Sequence, residues 1–340
     1  MKKYTRLIAA LALIPAAALA LSACSSGGQP SETPSETTDT GAPAELTTVT
    51  VGTVGLTSDG ALIAGMEQGF FEEEGLKIET SIVQNPPAGL AAAQGGQLDI
   101  TFTPGIPLLN ALSQGIGVQV VAASHGYDPA AKDSDDPAQY DDTGLFASAK
   151  SGITSIEDLE GKTIAIPARK AHLEVVIADE LQEAGIDPET GVNWVVLDFT
   201  SAVAALNEGT VDAAGLVSPF TTQALEAGNP QISAPSVAFF DGGTTSYWVA
   251  GTSTIEQKPD VIAAFQRAII KSNEWANEHP EEAIQAGLTY TNSPLTVADV
   301  MVPYWTTDVA PENLETMMNK MVKLKFLAAP VDLSNAFHTN

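Results

Sequence analysis

Cysteine is almost absent from this chain. Cys24 is the only one in 340 residues, which excludes a disulfide framework, a Cys-based metal site and a Cys nucleophile elsewhere. Positive charge is nearly as scarce: 15 Lys and Arg stand against 42 Asp and Glu, a net charge of −27. Such an excess repels nucleic acid and anionic lipid heads, and no basic stretch interleaved with aromatics offsets it. Nucleic-acid binding is set aside on that ground. Long hydrophobic runs are also missing after Leu21, so no later segment reaches spanning length. Absent too are His-Glu-x-x-His, a Gly-x-x-x-x-Gly-Lys-Ser/Thr phosphate loop and a Ser-His-Asp order, the signatures that most often mark an enzyme. No cofactor or metal is expected.

What is present begins at the N-terminus. Lys2, Lys3 and Arg6 open the chain, and an uncharged Leu/Ala-rich run follows from Leu7 to Leu21. At about 15 residues it is short for a membrane span and suits the core of a signal peptide. Small residues then precede Cys24, and Leu21-Ser22-Ala23-Cys24 resembles the lipobox of bacterial lipoproteins. The resemblance implies a signal peptide over residues 1–23, a lipid on the Cys24 sulfur and an extracytoplasmic body held at the membrane. An ordinary secreted protein cut near Ala20 is the other reading. Removing residues 1–23 leaves 12 basic against 42 acidic residues, a charge of −30. Residues 24–45 are rich in Ser, Thr, Gly, Pro and Glu and poor in apolar side chains, which predicts a disordered tether.

From residue 46 onward the chain holds enough length for one large or two medium domains. A unit recurs there. Short β-branched runs at 49–54, 78–83 and 100–103 alternate with helical stretches, and so do runs at 163–166, 194–197 and up to Val217. Gly96-Gln97-Leu98-Asp99 in the first copy matches Gly209-Thr210-Val211-Asp212 in the second. Each copy closes on a Gly 19 residues after its first, at Gly115 and at Gly228. Strands alternating with helices predict parallel sheets, and the duplication predicts two similar lobes. In open parallel sheets the ligand crevice lies at the carboxyl ends of the strands, where helix N-termini present free N–H groups. The loops expected there are 55–60, 84–89, 103–106, 167–172, 198–201 and 217–220, around a small polar or anionic solute.

Several stretches carry a family resemblance: Gly69-Phe70-Phe71-Glu72-Glu73-Glu74-Gly75-Leu76, Gly96-Gln97-Leu98-Asp99 and Ile156-Glu157-Asp158-Leu159-Glu160-Gly161-Lys162. Ala204-Ala205-Leu206-Asn207-Glu208-Gly209 with Val211-Asp212-Ala213 adds to them, as does the run from Trp275 to Ala283. These resemble the nitrate/sulfonate/taurine-type substrate-binding proteins of ABC importers, over residues 46–337. The resemblance implies an α/β, two-lobed periplasmic-binding-protein-like fold of type II, each lobe a mostly parallel sheet flanked by helices. It places residues 46–124 and 248–340 in lobe 1 and 125–247 in lobe 2, with crossings at 121–124 and 245–250. Helices beginning at Pro259 and Pro311 are expected to rejoin lobe 1. Implied partners are a small solute, the permease subunits and their cytoplasmic ATPase, with the protein itself a monomer. Sulfonate, taurine or nitrate lead as solutes; a thiamine-pyrimidine precursor or an aromatic carboxylate is the alternative. Fungal thiamine-pyrimidine synthases resemble the same binders, but they carry a Cys-rich motif this chain lacks. An extracellular sensor is a third possibility.

Candidate ligand residues follow from the expected cleft loops. Thr57, Ser58 and Asp59 precede the first helix, where capping and solute contact are both open. Thr103, Pro104 and Gly105 stand where the third strand opens, with Ser218 and Pro219 in the equivalent place of the other lobe. Arg169, Lys170 and His172 share one loop, and the Arg fork suits a sulfonate or carboxylate; a solvated rim pair is the plainer reading. His125 follows the first crossing, either as a donor or as a structural His. Tyr247 and Trp248 at the return are read as site floor or hinge packing. Six Asp between Asp128 and Asp142 lack the spacing of a calcium loop and read as a solvated acidic loop.

Overall fold

The computed structural model describes residues 45–338 apart from Asp241, and for Lys132 the backbone only. The signal peptide, Cys24 and the tether to residue 44 lie outside the described residues. Twelve strands follow in chain order. The first half holds β1 (Thr47–Thr53), β2 (Leu76–Ile82), β3 (Ile100–Pro104), β4 (Val118–Ala123), β5 (Gly126–Tyr127) and β6 (Thr143–Ala147). The second holds β7 (Thr163–Ile166), β8 (Asn193–Val196), β9 (Ala213–Val217), β10 (Gln231–Ser233), β11 (Gly243–Thr244) and β12 (Ser246–Gly251).

They form two five-stranded sheets of matching plan. The first has the order β2-β1-β3-β12-β4 and the second β8-β7-β9-β6-β10. In each, the three strands of the repeated unit are parallel, and the fourth runs antiparallel to them. That fourth strand is in each case the first to enter the sheet after the chain has crossed: β6 on the outward passage and β12 on the return. The passages themselves pair as a two-stranded ribbon, Tyr127 opposite Gly243 and Gly126 opposite Thr244. Residues 121–124 fall mostly within β4 and 245–250 mostly within β12, so the ribbon of β5 and β11 makes the passage.

The repeated Asp has one task in both copies. Asp99 Oδ2 accepts the Thr50 N–H at 2.9 Å, and Asp212 Oδ2 accepts the Thr163 N–H at 2.9 Å. Each carboxylate therefore ties the entry of the third strand to the start of the first, one repeat apart. Gly96 and Gly209 precede them at φ 69° and 74°, a left-handed turn that an L side chain resists. Such a turn lets the chain leave a helix and fall directly into the next strand.

The first sheet is packed by helices Gly60–Glu67, Phe70–Glu73 and Pro259–Glu278, with Phe71, Phe102, Trp248 and Phe265 at the centre of its core. The first two of these helices are separated at Gly69, φ 78°. A second core joins Leu108 and Val120 to Leu145, Ile164 and Val176 through Leu314, Met317 and Met321 of helix Pro311–Lys323. That last helix packs against helix Gly105–Ser113 on one side and helix Pro235–Phe240 on the other, and so does not belong to the first sheet alone. No helix among the described residues is long and apolar enough to cross a membrane.

Candidate functional site

The two sheets face each other across a cavity of about 500 Å³. Topology decides what reaches it. Strands β3 and β9 end at the cavity, and because β12 and β6 run against them, those two begin there: Ser246 lies opposite Pro104, and Thr143 opposite Val217. The wall is thus made by strand ends and by the segments that lead into the antiparallel strands. Both kinds of residue line it: Pro104, Gly105 and Val217, and equally Thr245, Asp142 and Thr143.

On the first-sheet side the turn Thr57–Asp59 presents Thr57 and Ser58. Close backbone approach holds this turn. A Cβ on Gly60 would meet the Ala283 carbonyl oxygen at 2.0 Å, and one on Gly287 would meet that of Thr57 at 2.5 Å. The Trp305 indole N–H also donates to the Ser58 carbonyl at 2.8 Å. Neither Thr57 nor Ser58 caps a helix with its side chain; Asp59 does the local work, its Oδ2 accepting the Leu56 N–H at 2.9 Å. Burial raises the Asp59 carboxyl to about 7, against the backbone hydrogen bonds that favour its charged form.

Aromatic rings line the cavity in two stacked groups. Phe102 and His125 stack at 5.4 Å with 10° between planes; Phe240 stacks with His172 at 5.6 Å and with Tyr127 at 5.9 Å. Tyr140 and Tyr304 complete the lining. Burial lowers both imidazoles to about 4, with His172 adding to the effect on His125, so both rings are neutral at pH 7. His172 Nε2 lies 2.8 Å from Ser236 Oγ, and that hydroxyl lies 2.6 Å from Thr143 Oγ1. Asp141 anchors this network: its carboxylate accepts the Thr143 hydroxyl at 2.7 Å and the Ser236 and Val237 N–H groups at 2.9 Å each. Asp142 beside it opens into the cavity while protein surrounds it at longer range. Burial, with the neighbouring Asp141, raises its carboxyl to about 7.

The cavity collects Thr57, Ser58, Pro104, His125, His172 and Ser218 from the residues expected at a cleft. Thr103 is fully buried, its hydroxyl turned to the Pro104 carbonyl at 3.1 Å, and Pro219 stands before helix Phe220–Glu226 without lining the cavity. Tyr247 and Trp248 are core residues at 0% and 2% exposure. Arg169 and Lys170 require a correction. They line a separate groove of about 380 Å³ with Glu174, Gln182, Asp187, Lys323 and Lys325. Arg169 Nε and Nη2 hold Glu174 Oε1 at 2.9 and 2.8 Å, and the Lys170 N–H donates to the same carboxylate. A carboxylate of its own helix has claimed the Arg fork that suited a sulfonate. Among the described residues lining the main cavity there is no Lys or Arg.

The acidic run from Asp128 to Asp142 is also corrected. It supplies the cavity with Asp128, Tyr140 and Asp142, and Asp141 is buried at 3% exposure. The signal was its position: these residues lead into β6, and β6 begins at the cleft because it opposes β9. Segment 300–304, the outer wall on the first-sheet side, gave no sign in its composition.

A model of the family described as NMT1/THI5 like matches residues 57–283. The chain belongs to that family. A Brucella abortus protein designated a binding protein is 24% identical over 221 residues, 64% of this chain and 63% of its own length. The formylaminopyrimidine-binding protein of Halalkalibacterium halodurans is 27% identical over 243 residues, 67% of this chain and 65% of its own. The chain thus spans slightly less than two thirds of these relatives. The periplasmic aliphatic sulphonate binding protein SsuA of Escherichia coli superposes with a TM-score of 0.69 at 17% identity, covering 86% of this chain and 92% of that one. At that identity the likeness establishes the fold: a periplasmic-binding-protein architecture with two α/β sheets.

Proposed function

We propose that the protein is the solute-capturing component of an ABC importer, a binder and not an enzyme, taking a small planar ring compound into the cavity between its two sheets. The observation that carries this reading is the cavity itself. Its volume of about 500 Å³ lies in the range of small-molecule sites, and it is walled by stacked rings with few, convergent polar groups. A lining rich in aromatic rings suits a flat ring better than a compact tetrahedral sulfonate or a nitrate. The Halalkalibacterium relative, named for a formylaminopyrimidine, supports a nitrogen heterocycle as the class of solute. Residues 46–124 with 248–340 and residues 125–247 serve as the lobes, closing on the ribbon of β5 and β11.

The same reading takes Cys24 as the lipid-bearing residue, with residues 1–23 removed and the body tethered outside the cytoplasm. The Leu21-Ser22-Ala23-Cys24 sequence supports it. Delivery to permease subunits and their ATPase then follows from tethering, since the loaded protein samples the membrane surface without leaving it.

Thermal melting with a solute panel tests the function. Aminopyrimidines, sulfonates, taurine, nitrate and aromatic carboxylates are each added in excess. A true solute at about 100 times its Kd adds about 2.7 kcal/mol, and the expected outcome is a raised Tm for the flat heterocycles. A panel in which no small solute shifts the transition argues against solute capture. Expressing Cys24→Ala and fractionating cells tests the anchor: the variant should leave the membrane fraction.

A further inference from the structure

We propose that Asp142 sets the charge of the solute: the cavity takes a planar ring with a cationic or N–H-donating edge and turns away the isosteric carboxylate. This rests on the solute-binding reading above and adds a sign to it.

The geometry supplies three independent reasons. First, Asp142 is exposed and lines the cavity, which sets an acceptor in the wall. Asp141, next in the chain, is already saturated by Thr143, Ser236 and Val237, so it orients the loop and leaves Asp142 to the solute. Second, no Lys or Arg among the described residues lines the cavity to compensate this charge, while Asp128 adds a second carboxylate. Third, Phe102, Tyr127, Tyr140, Phe240 and Tyr304 all belong to the lining, an aromatic composition that favours a cation over an anion. The surplus of acid over base in the whole chain acts in the same direction.

The groups around Asp142 fix the pH dependence. Asp141 stands beside it, and Tyr127, Asp128, Thr143 and His172 share the cavity lining with it. His125 is also in the lining, and Asp141 helps to raise Glu180, which lies outside it. Both His are neutral above about 4. Asp142 therefore changes charge near neutrality, its carboxyl raised to about 7 by burial and by Asp141. A cation binds its ionised form, so affinity rises with pH through that value.

Benzamidinium and benzoate are matched in shape, opposite in charge, and each keeps its charge from about pH 6 to about pH 8. Isothermal titration of the full chain with each probe at both pH values is the test. At pH 8 the amidinium is expected to bind at least about tenfold tighter than benzoate. Its affinity should fall about tenfold on going to pH 6, as a group with a pKa of about 7 takes up its proton. Asp142→Asn should flatten that pH dependence and collapse the preference; the wild-type pH series decides the matter even if the variant folds poorly. Equal or tighter binding of benzoate, a pH-independent amidinium affinity, or no amidinium binding up to about 10 mM overturns the assignment. None of those results touches solute capture itself, which the melting panel decides separately.

Discussion

Arg169 and Glu174 illustrate how a residue is read wrongly from its scarcity. Two adjacent cations in a chain so acidic suggest an anion site, yet the Glu174 side chain is only 4% exposed and needs a partner more than any solute does. The Arg169 side chain is 49% exposed, so solvent screens its half of the pair. Arg169→Ala should therefore lower stability by roughly 1 kcal/mol, because the Lys170 N–H still serves Glu174. Affinity for the solute found in the melting panel should not change. Titration of the variant checks both halves, and a weakened Kd with an unchanged Tm would return Arg169 to the site.

The repeated Gly-x-x-Asp element makes a second prediction, since its two copies are not equally supported. Asp99 accepts the Thr50 N–H and hydroxyl and the Lys258 ammonium at 2.6 Å. Burial raises its carboxyl, but Lys258 and Thr50 outweigh that and hold it below the ordinary value. Asp212 is tied to Thr163 through one N–H at 2.9 Å. Asp99→Ala should cost about 1.5–3 kcal/mol and Asp212→Ala less than half of that, read from urea midpoints. Equal losses would mean that the side-chain contacts of Asp99 add nothing. At this scale much was legible: β7 occupies residues 163–166 as the hydrophobic run marks them, and both closing glycines, Gly115 and Gly228, adopt positive φ. Periodicity and turn chemistry are local, so sequence records them. The cavity wall was half legible. Thr57, His125 and Ser218 sit beside elements the pattern reveals, whereas Asp142 and Tyr304 reach the cavity through antiparallel insertion and a return of the tail. Those are long-range events that composition does not encode.

For the whole molecule, buried titratable groups set the response to pH. Asp59 and Glu180 are raised to about 7 and the buried Asp141 is raised as well, so the folded state holds protons that the unfolded chain has released above about 4. Their contribution is complete below the unfolded carboxylate range and is lost as pH rises through about 7. His125 and His172, lowered to about 4, contribute above the ordinary imidazole value of 6.5 and lose that as pH falls toward 4. Three raised acids outnumber two lowered bases, so the acids set the sign. The Tm of the empty protein should be higher at about pH 5.5 than at about pH 8, with the steepest decline near 7. A Tm that climbs over that interval would contradict the burial of these carboxyls.

The joint between the sheets has a further consequence. Two adjacent strands alone act as a swivel, free to twist as well as bend. Helix Pro311–Lys323 adds a third attachment away from them: Lys320 Nζ reaches Asp179 at 2.9 Å and the Phe239 carbonyl at 2.7 Å. The residues beyond it return to β4, where the Val120 N–H donates to the Ala336 carbonyl at 2.8 Å. This further attachment, made by a helix and not by the ribbon, restrains the twisting that two strands alone allow. Under the proposed solute capture, the rings that line the cavity would then close on a bound ring with their twist already restrained.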